Sequence, residues 1–227
     1  MMGASEDLSA KTVPHLSTLR LEGVFLNAGP NRTFLESFQE IYGYMNKILY
    51  IVRHCSAEGQ QPEATLRPEG SIQAIALANF LADEGIERIV SSPFTRAVQS
   101  ILPLAQRLHR EIETDARLAE RILSSSNLPD WLDRLRATFD DLDLHFEGGE
   151  SNRTAMNRAI SAINDILKHG ATITCIVTHG NLMTLLLKHF DISLGFETWN
   201  ALTVPDVFRI IITDVGTQME RIWHPKT

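Results

Sequence analysis

The chain has 227 residues, of which 44% are hydrophobic and 22% charged, a composition typical of a soluble protein with one α/β domain. A net charge of −7 disfavours nonspecific nucleic-acid binding, and no apolar run reaches the length that spans a membrane. The start lacks a basic segment leading into an apolar one, and the chain holds only two cysteines. These features predict a cytoplasmic protein whose thiols are reduced, with a disulfide between Cys55 and Cys175 as the alternative.

The first 44 residues differ in composition from the remainder. They are rich in Ser, Gly, Asn and Thr and show no sustained hydrophobic period. We expect residues 1–44 to be an N-terminal extension, either poorly ordered or not native, ahead of one domain over residues 45–227. The alternative is a short amphipathic helix near residues 32–44, where apolar side chains recur at helical spacing.

The first buried strand is predicted over residues 47–52, a short run of apolar and β-branched side chains. It ends abruptly in Arg53 and His54. Since ligands of open α/β sheets bind at the carboxyl ends of strands, this pair either lines a site or marks the surface end of a strand.

The next segments predict alternating helices and strands. Pro68 suits the first turn of a helix that ends near Gly85, and residues 86–90 form the second strand. That strand leads into Ser91-Ser92-Pro93 and then Arg96, one turn into another helix. A helix start and a guanidinium directed to one place favour an anion.

The second half of the chain predicts a short strand over residues 111–114 and helices over residues 129–139 and 151–169, with Ser151 as an N-cap. Residues 172–177 form another buried strand, followed by His179, Gly180 and a helix. Two strands that each end in a histidine can place both imidazoles in one crevice. Residues 200–203, 208–213 and 218–223 are predicted as short strands that complete the sheet.

These motifs together resemble the histidine phosphatase superfamily, also called the phosphoglycerate mutase-like family. The resemblance rests on the Arg53-His54 pair, on Ser91-Ser92-Pro93 with Arg96, and on Thr178-His179-Gly180, and it covers the chain from about Lys47 onward. It implies a three-layer α/β/α sandwich with a mostly parallel central sheet. Residues 45–227 would then be a histidine phosphatase domain.

The resemblance also implies roles for individual residues. His54 would be the nucleophile, Glu120 of a Leu-x-Glu element the acid/base, and Arg53, Arg96 and His179 donors to the phosphoryl oxygens. The complete predicted site has a catalytic set of Arg53, His54, Arg96, Glu120 and His179, and a substrate-binding set of Arg53, Gln60, Arg96 and Gly180. No metal and no cofactor is predicted, because the histidines lack ligand spacing and an adjacent arginine opposes a cation.

Cys55 departs from the family pattern, which has glycine at this place. Glycine tolerates backbone conformations that cysteine does not, so the loop after His54 is expected to differ in shape. The change also puts a thiol beside the nucleophile, where oxidation could inhibit the protein.

Three functions agree with this sequence. The preferred one is hydrolysis of a small-molecule phosphomonoester through a phosphohistidine, by a monomer or homodimer without nucleic-acid or membrane partners. A phosphoglycerate mutase is second, disfavoured by the short segment between Glu120 and Ser151. A non-catalytic module that binds phosphorylated ligands is third, since no predicted catalytic residue is missing.

Overall fold

A computed structural model describes residues 46–224, which form a six-stranded mixed sheet between two layers of helices. The predicted extension over residues 1–44, including the alternative helix near residues 32–44, lies outside the described residues. Within residues 46–224, no helix is both long and apolar enough to cross a membrane.

The elements alternate along most of the chain. The strands are β1 (Lys47–Arg53), β2 (Arg88–Ser91), β3 (Ile112–Thr114), β4 (Ile173–Thr178), β5 (Asp206–Thr213) and β6 (Gly216–Arg221). The helices are α1 (Pro68–Leu81), α2 (Thr95–Leu108), α3 (Trp131–Asp140), α4 (Asn152–Lys168), α5 (Gly180–Phe190) and α6 (Phe196–Ala201). A 3₁₀ turn at Ala116–Leu118 follows β3.

The sheet has the strand order β3-β2-β4-β1-β5-β6. Strands β1, β2, β3 and β4 run parallel, and β5 pairs antiparallel with both β1 and β6. The mostly parallel α/β/α sandwich predicted from the sequence is therefore confirmed. Because β2, β4 and β1 are parallel neighbours, the residues that follow them meet at one edge of the sheet.

Alternate side chains of β1 enter two separate cores. Leu49 and Ile51 pack with α3, α4, α5 and α6, whereas Tyr50 and Val52 pack with α1 and α2. A strand buried on both faces needs apolar residues at every position, which explains the continuous run in the sequence.

The predicted strand over residues 200–203 is wrong. Residues 196–201 form the helix α6, and residues 202 and 203 are extended without pairing to the sheet. Phe196 and Trp199 lie three positions apart on one helix face, and Phe196 packs against Phe139 of α3. This tertiary packing stabilises a helix too short to be recognised from hydrophobic periodicity.

Candidate active site

The ends of β1 and β4 bring the two predicted histidines together. Arg53 and Thr178 are register partners, so the residues that follow them, His54 and His179, leave the sheet side by side. The centroids of the two imidazole rings are 5.0 Å apart in an edge-to-face arrangement. The two motifs therefore bring both imidazoles together at the ends of β1 and β4, as predicted.

The hydrogen bonds of His54 determine which ring nitrogen is free. Nδ1 lies 2.7 Å from the carbonyl oxygen of Cys55, which can only accept, so Nδ1 carries the proton. Nε2 accepts a hydrogen bond of 3.2 Å from Nε of Arg96 and therefore presents its lone pair. Burial, together with the charges of Arg96 and Arg53, lowers the pKa of His54 to about 4. The imidazole is thus neutral at physiological pH, as a nucleophile requires.

Arg96 is a cation without exposed surface at the start of α2. Its Nη1 donates to the main-chain oxygens of Gln60 and Gln61, at 3.1 and 2.8 Å, while Nη2 is buried without a partner in the part of the chain that the structure describes. Burial lowers its pKa, and the charge of Glu120 opposes that shift. Arg96 is therefore held rigidly against His54 with one donor unused.

Arg53 is positioned from the opposite side of the site. Its Nη1 donates to the carbonyl oxygens of Leu202 and Thr203, at 3.2 and 3.3 Å, and its buried Nε has no partner among the described residues. A Cβ atom added to Gly180 would lie 3.2 Å from the Arg53 guanidinium. Glycine at this position therefore leaves room for the arginine next to the start of α5.

His179 is completely buried and contacts Ser92 and Phe94 from the β2–α2 turn. Its Nε2 lies 2.7 Å from Oγ of Ser92, which also accepts from the N–H of Phe94. Burial, and then the charges around it, lower the pKa of His179 well below its ordinary value, so the ring is neutral without ligand. When the Ser92 hydroxyl donates to Nε2, the ring proton lies on Nδ1, a buried atom without a hydrogen-bond partner among residues 46–224.

Glu120 lies at the N-terminus of α5. Its carboxylate accepts hydrogen bonds from the main-chain N–H groups of Asn181, Leu182 and Arg121, at 3.1, 3.0 and 2.9 Å. Arg158 fixes the preceding turn by donating to the carbonyl oxygen of Ala119 at 2.9 Å. The dipole of α5 stabilises a carboxylate at its N-terminus. The charge of Glu120 also opposes the lowering of the pKa values of Arg53 and Arg96 by burial.

Gln60 reaches the site only through the main-chain oxygen that accepts from Arg96, whereas its side chain is exposed. The role of its amide toward phosphate stays a prediction. The other predicted residues lie close together at the ends of β1 and β4 and the starts of α2 and α5. They are Arg53, His54, Arg96, Glu120, His179 and Gly180.

The expectation that Cys55 is open to oxidation is wrong. Its side chain has no exposed surface, and burial raises the pKa of the thiol to about 12, which suppresses the reactive thiolate. The Cys55 N–H donates to Oγ of Ser100 at 2.8 Å, and the residue has a negative φ. The loop therefore accommodates cysteine without the conformation that glycine would allow, and Cys55 and Cys175 are both free and buried.

Two neighbouring residues were missed by the sequence analysis. Arg121 and Asn181 are buried, and Nε of Arg121 donates to Oδ1 of Asn181 at 3.0 Å. The sequence offered one indication of their role, which is that they directly follow Glu120 and Gly180. Their contact could not be predicted, because the two residues are sixty positions apart in the chain.

A family model matches most of the chain. The model of the histidine phosphatase superfamily (branch 1) matches residues 49–222. This chain belongs to that superfamily. The matched residues include the whole of the site described above, from Arg53 to Asn181.

A curated relative covers a smaller part. The uncharacterized protein Rv0525 of Mycobacterium tuberculosis is 34% identical over 79 residues, which are 32% of this chain and 39% of that protein. The chain thus matches well under half the length of this relative.

Solved structures of the same fold cover more of the superfamily domain. A mycobacterial glucosyl-3-phosphoglycerate phosphatase, Rv2419c, is 21% identical with a TM-score of 0.64, over 80% of this chain and 100% of that one. A phosphoglycerate mutase from Bacillus anthracis is 18% identical with a TM-score of 0.62, over 79% of this chain and 93% of that one. At these identities the likeness establishes the fold alone.

Proposed function

We propose that this domain hydrolyses a small-molecule phosphomonoester through a phosphohistidine on His54. The observation that carries the proposal is the pair of arginines without a carboxylate partner. Among residues 46–224, none of the ion pairs includes Arg53 or Arg96, although both side chains are buried or partly buried. Glu120 and Asp206 act on these cations only from a distance, so the space beside the two guanidinium groups suits an anionic ligand in direct contact.

The free donors match a phosphoryl group. Nε of Arg53, Nη2 of Arg96 and Nδ1 of His179 are buried and have no partner within the described part of the chain. Arg96 contacts Nε2 of His54 directly, and the ring of His179 lies 5.0 Å from that of His54. Donors fixed in this way stabilise the charge on the equatorial oxygens of the transition state.

The reaction proceeds in two steps. In the first, the lone pair on Nε2 of His54 leaves its hydrogen bond to Arg96 and attacks phosphorus. The ester P–O bond breaks, and the leaving oxygen takes a proton that the monoanionic ester has passed to Glu120. In the second, water attacks phosphorus, its proton passes to Glu120, and the P–N bond breaks with its electron pair returning to His54.

The test is phosphate release from a panel of phosphomonoesters, starting with p-nitrophenyl phosphate, in the presence of a chelator. Wild type should release phosphate, His54→Ala should lose essentially all activity, and the exposed control His109→Asn should retain it. Wild-type rates in His54→Ala would contradict the covalent mechanism. Isomerisation of 3-phosphoglycerate with a bisphosphoglycerate primer, without hydrolysis, would support the mutase instead. Phosphate binding without either reaction would support the binding module.

A further inference from the structure

The main-chain amide between Cys55 and Ser56 connects the nucleophile to helix α1. On one side of this amide, the carbonyl oxygen of Cys55 accepts from Nδ1 of His54 at 2.7 Å. On the other side, the N–H of Ser56 donates to Oε1 of Gln73 at 2.9 Å. The C=O and N–H of a planar trans amide point in opposite directions. An acceptor that holds the N–H of Ser56 therefore also fixes the direction of the oxygen that faces His54.

The preceding amide is held from the neighbouring helix. The N–H of Cys55 donates to Oγ of Ser100 in α2 at 2.8 Å, and this hydroxyl donates to the carbonyl oxygen of Arg96 at 2.6 Å. Cys55 and Ser100 are both buried. Both amides that flank Cys55 thus end on fixed side-chain acceptors, one in α2 and one in α1.

Gln73 holds its amide from a helix that packs closely against the loop. The N–H of Arg67, at the start of α1, donates to the carbonyl oxygen of Ser56 at 3.1 Å. Gly70 passes so close to the same oxygen that a Cβ atom there would lie 2.0 Å from it. The Gln73 oxygen is therefore a fixed acceptor. By accepting from the N–H of Ser56, it also polarises the amide and strengthens the acceptance by the Cys55 oxygen.

We propose that Gln73 is a positioning residue for the nucleophile, which acts through the Cys55–Ser56 amide to hold Nδ1 of His54 and so direct Nε2. This inference rests on the proposed function only in that His54 is the attacking residue. It predicts that loss of the Gln73 oxygen loosens the hydrogen bond of Nδ1 and slows the attack. The donors to phosphate should stay in place, because other contacts hold them.

The Nδ1 proton of His54 reports this contact without turnover. In NMR spectra of the full chain with isotope-labelled histidine, the wild type should show this proton far downfield, because its hydrogen bond is short. Its absence from His54→Ala assigns the signal. Gln73→Met, which keeps the length of the side chain and loses the amide oxygen, should move the signal upfield or lose it to exchange with water. Gln73→Glu keeps an oxygen acceptor and should restore it, and an unchanged signal in Gln73→Met would overturn the proposal.

Gln99→Met is the matched control. Oε1 of Gln99 accepts from the N–H of Leu66 at 2.9 Å, which is the same kind of bond at the same distance, but to a residue ten positions beyond Ser56. This variant should leave the Nδ1 proton of His54 as in the wild type. An equal displacement by Gln99→Met would show a general loosening of the loop and would overturn the positioning role. If Gln73→Met does not fold, Gln73→Ala takes its place.

Kinetics and binding separate positioning from a role toward phosphate. In Gln73→Met, kcat for p-nitrophenyl phosphate should fall on the order of 10-fold, because the attacking nitrogen is misaligned, and it should recover in Gln73→Glu. The Kd for inorganic phosphate, measured by calorimetry, should be unchanged. A weaker Kd with an unchanged kcat would show that Gln73 acts on the binding of phosphate, and would overturn the inference.

The NMR signal and turnover also distinguish this inference from the proposed function. A wild type that hydrolyses no ester, but whose Nδ1 proton moves in Gln73→Met, would support the contact through the amide and contradict hydrolysis. Hydrolysis that depends on His54, in a protein whose Nδ1 proton ignores Gln73→Met, would do the opposite.

Discussion

At His54, two hydrogen bonds select the attacking atom. The carbonyl oxygen of Cys55 accepts from Nδ1 and so keeps the proton on that nitrogen. The hydrogen bond from Arg96 to Nε2 is long, at 3.2 Å, so Nε2 can give it up when it attacks phosphorus. The Arg-His pair could be predicted from the sequence. The tautomer of His54 could not, because it depends on a contact with Arg96, which lies forty-two residues away in the chain.

The protonation of His54 gives the first prediction. An NMR titration of the free protein should find His54 charging near pH 4, well below the ordinary value of 6.5, because burial and two arginines disfavour the cation. The nucleophile should therefore remain neutral at pH 5.5. A midpoint for His54 at or above 6.5 would contradict this view of the site.

At the scale of elements, the carboxyl ends of β1, β2 and β4 were predictable because buried parallel strands have apolar runs that end in polar motifs. The position of Glu120 at the amides of α5 was not, since its loop has no period and its partners are about sixty residues away. The helix α6 was missed for a related reason, because packing against α3 outweighs the weak local signal of six residues.

The loop after His54 gives the second prediction. A Cβ atom on Gly70 would lie 2.0 Å from the main-chain oxygen of Ser56, so Gly70→Ala must displace either α1 or this loop. We expect a loss of roughly 1–3 kcal/mol in unfolding free energy by denaturant titration, together with a lower kcat. Gly170→Ala is the control, since no atom of residues 46–224 lies within 4 Å of the added Cβ. Equal stabilities of the two variants would contradict the close approach.

For the whole molecule, the protonation of histidines links stability to pH. Burial lowers the pKa values of His54 and His189 to about 4 and that of His179 well below 6.5, so the unfolded chain binds more protons between pH 6.5 and 4. The surface carboxylates that gain stability from ion pairs, such as Asp115, lose it only at lower pH.

The third prediction follows from this linkage. Unfolding free energy should decrease as the pH falls from 7 to 5, by roughly 2 kcal/mol for each of His54 and His189. Chemical denaturation at pH 7, 6 and 5 measures the slope. His54→Asn should make it shallower, and a stability independent of pH over this range would contradict neutral buried histidines.

Trapping the covalent intermediate tests the central claim most directly. Glu120→Gln should still transfer phosphate from p-nitrophenyl phosphate, whose leaving group needs no proton, but should lack the base for hydrolysis of the phosphohistidine. Alkaline quenching and peptide mass spectrometry should then find one phosphoryl group on the peptide containing His54. None should appear when His54→Ala is added to the same variant. Phosphate release from Glu120→Gln with no phosphorylated histidine at any time would contradict the mechanism.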